Sequence, residues 1–394
     1  MGPMTMDAIA KDAIESITLS VFEAERITAR FQLVEEVRAG VGRWEREGYG
    51  AATGQIHVLH VRTASGIEGI CTVGDARYTT MARDDLEQLR VLAVGENPFD
   101  RQRLDAKLRA ATRGMFTRPG WFGAFDNCLW DIAGKAAGLP VWALIGRARE
   151  ACPAYYNIRG GRGAEARALA VEDARHAVAE GFPAVKDHFR DTPEANMDLF
   201  RAVREAVGQG IAAMHDAAQA NYTYDEALRV GRTLEELRYA WFEEPLPDAG
   251  QASLGRLCRA LDVPIVAPET LMHDRDLSAQ WLISGAADVL RANARHGTTA
   301  ALALAHLAEL HGTTIEFNGP GGLFGLVHAH LVCAVRNTRY YEYFPGGSRD
   351  EAGIAIGLQN PPVPVGGRIA PPDAPGWGAA WDMDRFRKAR VAEW

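Results

Sequence analysis

Asp216, Glu243 and Glu269 are the residues of this 394-residue chain whose types and spacing speak most directly of chemistry. Each stands at the polar end of a short apolar run, in IAAMHD, AWFEE and PIVAPE, and they follow one another at intervals of 27 and 26 residues. Carboxylates brought to one rim repel each other, whereas a divalent cation that prefers hard oxygen ligands, Mg²⁺ above all, satisfies all three. The competing reading is that each pairs with a rim arginine or caps a helix. A second pair, Lys186 and His188 in PAVKDHF, stands at spacing i, i+2, which on a strand turns both side chains to one face. That sets a cation beside a group able to accept a proton. The plainer alternatives are a lysine that neutralises the carboxylates and a histidine that only supports them. Lys186 as the base, with His188 beside it, is also open.

Such side chains need a scaffold that brings distant positions to one edge. Eight short apolar runs recur beyond Ala151, namely AYYNIR, PAVKDHF, IAAMHD, AWFEE, PIVAPE, DVLRAN, TTIEFN and RYYEYF, with helical segments such as AEARALAVEDARHAVAEG, TYDEALRVGRTLEELR and TTAALALAHLAELHG between them. From the second run onward they end at His188, Asp216, Glu243, Glu269, Asn293, Asn318 and Glu342, 24 to 28 residues apart. Continuous apolar strands are what a parallel sheet buried on both faces requires, and a closed (β/α) barrel carries its chemistry at the C-terminal ends of its strands. A doubly wound open sheet also alternates strand and helix, but it does not call for so regular a series of polar strand ends.

The first 149 residues follow another rhythm. IESITLSVF, QIHVLHVRT and GIEGICTVG read as antiparallel strands with a Ser65-Gly66 turn, and DDLEQLRVLAVG, DRQRLDAKLRAA and FGAFDNCLWDIAGKAAG read as helices, the last closed by Gly138 and Pro140. The expected fold class is α/β, a TIM-like barrel over residues 150–345 with an N-terminal α+β capping domain over residues 1–149. The Gly- and Pro-rich tail, 346–394, repeats no βα unit and is expected to return to the capping domain.

Composition narrows the function class. An apolar fraction of 47%, a charged fraction of 24% and a net charge of −8 with interspersed signs fit a globular enzyme for small molecules and argue against a nucleic-acid surface. No run of 18 apolar residues suggests a membrane span, and MGPMTMDAIAKDAIES lacks a signal-peptide core and, with Met6 at position 6, a myristoylation signal. Five cysteines at spacings unlike a metal finger read as buried free thiols in a reducing cytoplasm. The glycines at Gly160-Gly161 and over Gly319–Gly325 match neither a P-loop nor a dinucleotide fingerprint.

Taken in order, FGAFDNCLWDIAGKAAGLPVWALIG, AVKDHF, AMHDAAQANYTYDEAL, WFEEPL, PIVAPETL and APPDAPGWG resemble the enolase superfamily, close to its mandelate racemase and acid-sugar dehydratase branch, over nearly the whole chain. The resemblance implies Mg²⁺ on Asp216, Glu243 and Glu269. It sets His188 and Lys186 at the positions of a Lys-x-Lys base motif, and Glu342 where relatives place an acid near the substrate carboxylate. It also implies a small-molecule carboxylate substrate, a role in carbohydrate acid catabolism and a homo-oligomer, with no nucleic-acid or membrane partner.

The departures decide between reactions. Two-base members carry a histidine and a supporting aspartate where this chain has Asn318 and Asn293, and asparagine cannot relay a proton. Ala218 replaces an asparagine expected two residues after Asp216, while Arg291 and Glu316 are expected to pair deeper in the barrel as structure. Racemisation needs groups on both faces of the α-carbon, whereas syn elimination can use one group as base and then as acid. The expected activity is therefore dehydration of an acid sugar or hydroxy acid to a 2-keto acid through an enediolate, with His188 as base. The alternatives are an epimerase whose second base is His296 or His273, both otherwise read as surface residues, and a barrel that binds a metabolite without turning it over. Substrate choice is expected near Arg43-Trp44 and Cys71-Thr72-Val73.

Overall fold

A computed structural model describes residues 3–38, 41–73, 81–112, 121–218, 220–271, 274–317, 322–346 and 353–394. Asn318 and His273 lie outside the described residues.

Strands β1 (Ile14–Arg38), β2 (Val41–Thr63) and β3 (Glu68–Thr72) form an antiparallel sheet. Strict alternation gives the sheet two apolar faces. Leu19, Leu59, Val61 and Cys71 join the main core, while Phe22, Val58 and Ile70 pack with Leu323, Leu326 and Phe386. Beyond Phe22 and Ile56 the two strands run on as a paired ribbon, from Glu23↔Gln55 to Arg38↔Val41. The reading from sequence stops these strands at Phe22 and Gln55, and none of the extension's residues whose burial is described is buried. Its Phe31, Leu33 and Tyr49 are exposed, so ladder hydrogen bonds hold it.

A short helix α1 (Met6–Lys11), capped by Thr5, precedes the sheet. The three expected helices follow it as α2 (Arg83–Ala93), α3 (Arg101–Thr112) and α4 (Trp121–Ala137), with α5 (Val141–Ile145) after Pro140. Gly138 ends α4 at φ 69°, a conformation that strains any residue with a Cβ.

All eight apolar runs are strands: β4 (Cys152–Asn157), β5 (Ala184–Asp187), β6 (Ala212–Asp216), β7 (Trp241–Glu243), β8 (Ile265–Ala267), β9 (Val289–Ala292), β10 (Ile315–Phe317) and β11 (Tyr341–Tyr343). They pair in parallel in chain order, and Tyr341↔Ala154 closes the barrel. Between them run α6 (Gly163–Ala179), α7 (Pro193–Val207), α8 (Tyr224–Glu236), α9 (Gln251–Ala260), α10 (Arg275–Ile283), α11 (Thr298–Leu310) and α12 (Gly322–Ala334). Tyr155, Ala184, Met214, Trp241, Val266 and Val289 fill the interior below the rim.

The capping domain and the barrel complete each other's hydrogen bonds. Helix α11 begins at Gly297, which has no capping side chain, and α4 supplies what is missing. Asn127 Oδ1 accepts from Thr298 N and Oγ1, Asp126 from Thr299 N and Oγ1, and Asn127 Nδ2 donates to Ala294 O. The approach is so close that a Cβ on Gly123 would lie 2.2 Å from Arg295 O. The tail returns through β12 (Arg368–Ile369), against β4, and β13 (Arg390–Glu393), which pairs with β1. Trp377 donates its indole N–H to Asn127 O, and His330 joins α12 to this seam, accepting from Trp142 N and facing Trp377 O.

Two outcomes check this seam. Gly123→Ala should lower unfolding free energy by about 1–3 kcal/mol through overpacking, read as a fall in the urea midpoint. Burial pushes His330 down to about 3 from 6.5, so its contribution to stability is complete above pH 6.5 and shrinks as the pH falls towards 3. Between pH 7 and pH 5 His330→Asn should therefore lose less stability than the parent chain; an equal loss would remove His330 from the account.

Candidate active site

Alternation along each barrel strand decides which residues reach the mouth. On β5 Lys186 points inward and Asp187 outward, and His188, one residue past the strand, points inward again beside Asp216 from β6. Lys186 Nζ lies 3.2 Å from Asp216 Oδ2, 3.0 Å from Glu243 Oε2 and 2.7 Å from Glu342 Oε1. His188 Nε2 lies 3.0 Å from the same Asp216 oxygen. Arg291 on β9 holds the opposite side, with Nε 2.9 Å from Glu243 Oε1 and 3.1 Å from Glu269 Oε2, and a terminal nitrogen 3.0 Å from Glu342 Oε2. The Tyr155 ring lies below Lys186, whose ammonium is 5.1 Å from the ring centre, and its hydroxyl is 3.4 Å from both terminal nitrogens of Arg291.

Lys186, His188, Asp216, Glu243, Glu269 and Glu342 thus share one rim, as read from the sequence. Arg291 corrects that reading: it was expected to pair deeper in the barrel as structure, but it joins Glu243, Glu269 and Glu342. Two-residue alternation gave its direction and no more, since three carboxylates arriving from other strands are invisible locally. Glu316 behaves as expected and pairs with Arg339 at 2.9 Å. Asn293 caps the turn after β9, its Oδ1 accepting from Arg295 N and Nε. His296 is not a surface residue: it is buried, its Nδ1 3.2 Å from Asn293 O and its Nε2 3.4 Å from Ser278 Oγ. Cys71 and Val73 are likewise buried in the core with half-buried Thr72 between them, while the side chains of Arg43 and Trp44 lie outside what is described. Ala218 supports Asp216 after all, through its backbone N–H to Oδ1 at 3.0 Å. Gly160 also gains a meaning, because a Cβ there would lie 2.6 Å from His188 O.

Two more acids escaped notice. Asp248 Oδ2 accepts from Glu269 N and from Thr270 N and Oγ1, which fixes the turn that presents Glu269. Glu244 follows Glu243 at a left-handed φ of 45° and lies within the electrostatic reach of Glu269, Asp216 and Asp248. The doubled acid in WFEEPL was its signal. Burial and those neighbouring carboxylates push Glu244 well above its ordinary range. Burial pushes Glu243 up to about 8 against the pull of Arg291 and Lys186, with Asp216 and Glu269 adding to the rise. On Asp216 burial is outweighed by Lys186 and His188, which hold it well below its ordinary range. Burial also works against the charge of Lys186, but Glu243 and Glu342 overcome it and keep the ammonium firmly protonated.

A divalent cation fits this donor set. Among the described residues Lys186 and Arg291 bridge Asp216, Glu243, Glu269 and Glu342, two cations shared among four acidic groups. The Arg291 Nε–H is directed at Glu269, so the buried Glu243 Oε1 receives no hydrogen bond. The ligand atoms are all hard oxygens, the chemistry that Mg²⁺ selects. Among the described residues no three acidic, histidine or cysteine side chains form a ready chelate, since the two cations stand between them. The arginine pairing weighed as an alternative is thus realised for Glu243 and Glu269 but not for Asp216, which faces Lys186 and His188, and loading a metal requires those contacts to rearrange.

Comparison with known proteins agrees with the fold and the motifs. Residues 169–385 match the model of the enolase C-terminal-like domain, and residues 50–146 that of the mandelate racemase / muconate lactonizing enzyme N-terminal domain. The chain belongs to the enolase superfamily. A solved superfamily relative, a D-glucarate dehydratase from Agrobacterium tumefaciens complexed with magnesium, is 29% identical at a TM-score of 0.77, over 96% of this chain and 99% of its own. A D-galactonate dehydratase family member from Catenulispora acidiphila is 27% identical over 82% of both chains. An L-talarate/galactarate dehydratase from Salmonella typhimurium is 28% identical over 73% of both. All five cysteines are free, and no helix among the described residues is long and apolar enough to cross a membrane.

Arg291→Met should cost about 3–5 kcal/mol of stability in metal-free buffer, because it leaves buried carboxylates without their shared cation. The measurement is the urea midpoint, and a loss below about 1 kcal/mol would show that Arg291 does not hold the rim.

Proposed function

We propose that this enolase-superfamily chain is a Mg²⁺-dependent hydro-lyase, which removes the α-proton of an acid sugar or related hydroxy acid and expels the β-hydroxyl as water, leaving an enol that tautomerises to a 2-keto acid. The observation that carries the reading is the one-sided arming of the rim. His188 stands 3.0 Å from Asp216 beside Lys186, while Asn293, at the end of β9, has no proton to relay. The dehydratase names of the relatives point the same way. Neither ring nitrogen of His296 favours an opposite-face base, since one faces Ser278 and the other Asn293.

In this reading Asp216, Glu243 and Glu269 hold the metal, and Mg²⁺ when bound supplies electrostatic stabilisation for charge developing on the substrate carboxylate. Lys186, kept protonated by Glu243 and Glu342, adds a second positive charge on the same side. The His188 imidazole takes the α-proton and returns it to the departing hydroxyl, so one group serves both steps of a syn elimination. Glu342 orients Lys186 and Arg291 at the substrate carboxylate, and Asn293 and Asn318 stand as polar, non-relaying contacts. Residues 150–345 carry the reaction, and residues 1–149 and 346–394 close over it. Assembly of the chain as a cytoplasmic homo-oligomer completes the proposal.

A screen of mono- and diacid sugars with Mg²⁺, read by 2-keto acid formation, tests the activity. The parent chain should turn over at least one polyhydroxy acid, and His188→Asn should lower kcat by about 10²–10⁴-fold. Full activity in that variant removes His188 as the base, and silence of the parent across the library removes the dehydratase reading. Mg²⁺ at a hundredfold its Kd should raise stability by about 2.7 kcal/mol, an effect that Glu243→Gln abolishes.

A further inference from the structure

Behind the catalytic rim, on the outer face of β5 and β6, lies a polar chain that the proposed reaction does not use. Asp187 and His215 stand opposite each other in the strand register, with Asp187 Oδ1 2.6 Å from His215 Nδ1. The same oxygen accepts from Phe189 N at 3.2 Å, which closes a small loop around His188. On the far side His215 Nε2 is 3.3 Å from the Tyr222 hydroxyl, which accepts from Asn196 Nδ2 at 2.6 Å. Asn196, in the first turn of α7, is tied in turn to both N and O of Asp191, just before that helix. All four side chains are buried, Asp187 at 1% and His215 at 0% exposure. The His215 ring is held between aromatics, 4.5 Å from Phe200 and 5.4 Å from Phe242 between centres.

Apolar side chains fill the neighbouring outward positions, Val185, Ala213, Phe242 and Ile265. Burying a carboxylate and an imidazole among them is costly, and the hydrogen bonds fall on one side of the carboxylate: Asp187 Oδ1 takes both of its partners, while among the described residues its buried Oδ2 has none, so the His215 bond carries much of what holds Asp187 in place. The placement of this network is specific: Asp187 lies between Lys186 and His188, and His215 immediately precedes Asp216. The two inward residues that meet at 3.0 Å, His188 and Asp216, are therefore clamped from behind by a bond between their own chain neighbours.

We propose that the Asp187–His215 bond, extended through Tyr222 and Asn196, is a positioning clamp that sets the His188–Asp216 geometry and so tunes both cation affinity and the chemical step. The kinetic half of this inference rests on the dehydratase reading, while the cation half does not. His215→Phe keeps the ring and loses the bond. His215→Asn keeps an N–H near the position of Nδ1 and so rescues it.

Calorimetric titration with Mg²⁺ and steady-state kinetics on the parent's substrate test the pair, with near-ultraviolet circular dichroism as the check of folding. His215→Phe should weaken Mg²⁺ binding about tenfold or more and lower kcat by about 10–100-fold, the range typical of residues that orient ligands, with KM changed little. His215→Asn should recover most of both. Parent-like affinity and kcat in folded His215→Phe, or equal losses in the two variants, would overturn the clamp. If His215→Phe does not fold, Tyr222→Phe and Asp187→Asn decide the question: a drop in Mg²⁺ affinity in either supports the clamp, and parent-like affinity in both refutes it. Should the parent turn over no acid, the dehydratase reading fails, and the Mg²⁺ affinities still judge the clamp.

Discussion

The mutual repulsion of buried carboxylates is the constraint on which the rest of this structure depends. Asp216, Glu243 and Glu342 are buried and Glu269 is partly exposed beside them, four acids from four different barrel segments gathered on one rim, where like charges oppose one another. Lys186 and Arg291 make the arrangement tolerable by reaching several acidic groups each, and burial still pushes Glu243 above its ordinary range against their pull. Under the proposed reading such a rim would suit a small, hard divalent cation.

Much of this was legible in the sequence because barrel strands are short and end in polar residues. The eight apolar runs and their spacing were enough for the fold, and the strand-end rule was enough for Asp216, Glu243, Glu269 and Glu342. What escaped had a common physical origin. Arg291 had the right direction but partners from three other segments, Tyr155 lay inside an apolar run, and Glu244 depends on a left-handed turn that no periodicity announces. His296 misled in the other sense, since a polar residue in a loop reads as exposed until the capping helix that covers its turn is known. The β1–β2 ribbon beyond Phe22 and Gln55 was missed because its described apolar residues, Phe31, Leu33 and Tyr49, are exposed and mark no core-facing period.

The capping domain is more than a lid set on a finished barrel. Helix α4 supplies the N-terminal hydrogen bonds of α11 and packs Gly123 against the turn that follows β9, the segment whose last inward groups are Arg291 and Asn293. The returning tail then stitches Trp377 to α4 and to His330. The side of the mouth opposite His188 is thereby fixed by residues distant in sequence, which couples integrity of the first domain to the geometry of the second.

The most direct measurement of the central claim follows the C2 hydrogen of a substrate acid in D₂O by NMR, with Mg²⁺ present and then removed by chelation. If the acidic rim serves enolisation, the C2 hydrogen is lost, solvent deuterium enters at C3 of the 2-keto product, and both cease without the metal. A product formed with its C2 hydrogen retained in the molecule, or exchange that continues undiminished after chelation, would contradict the account.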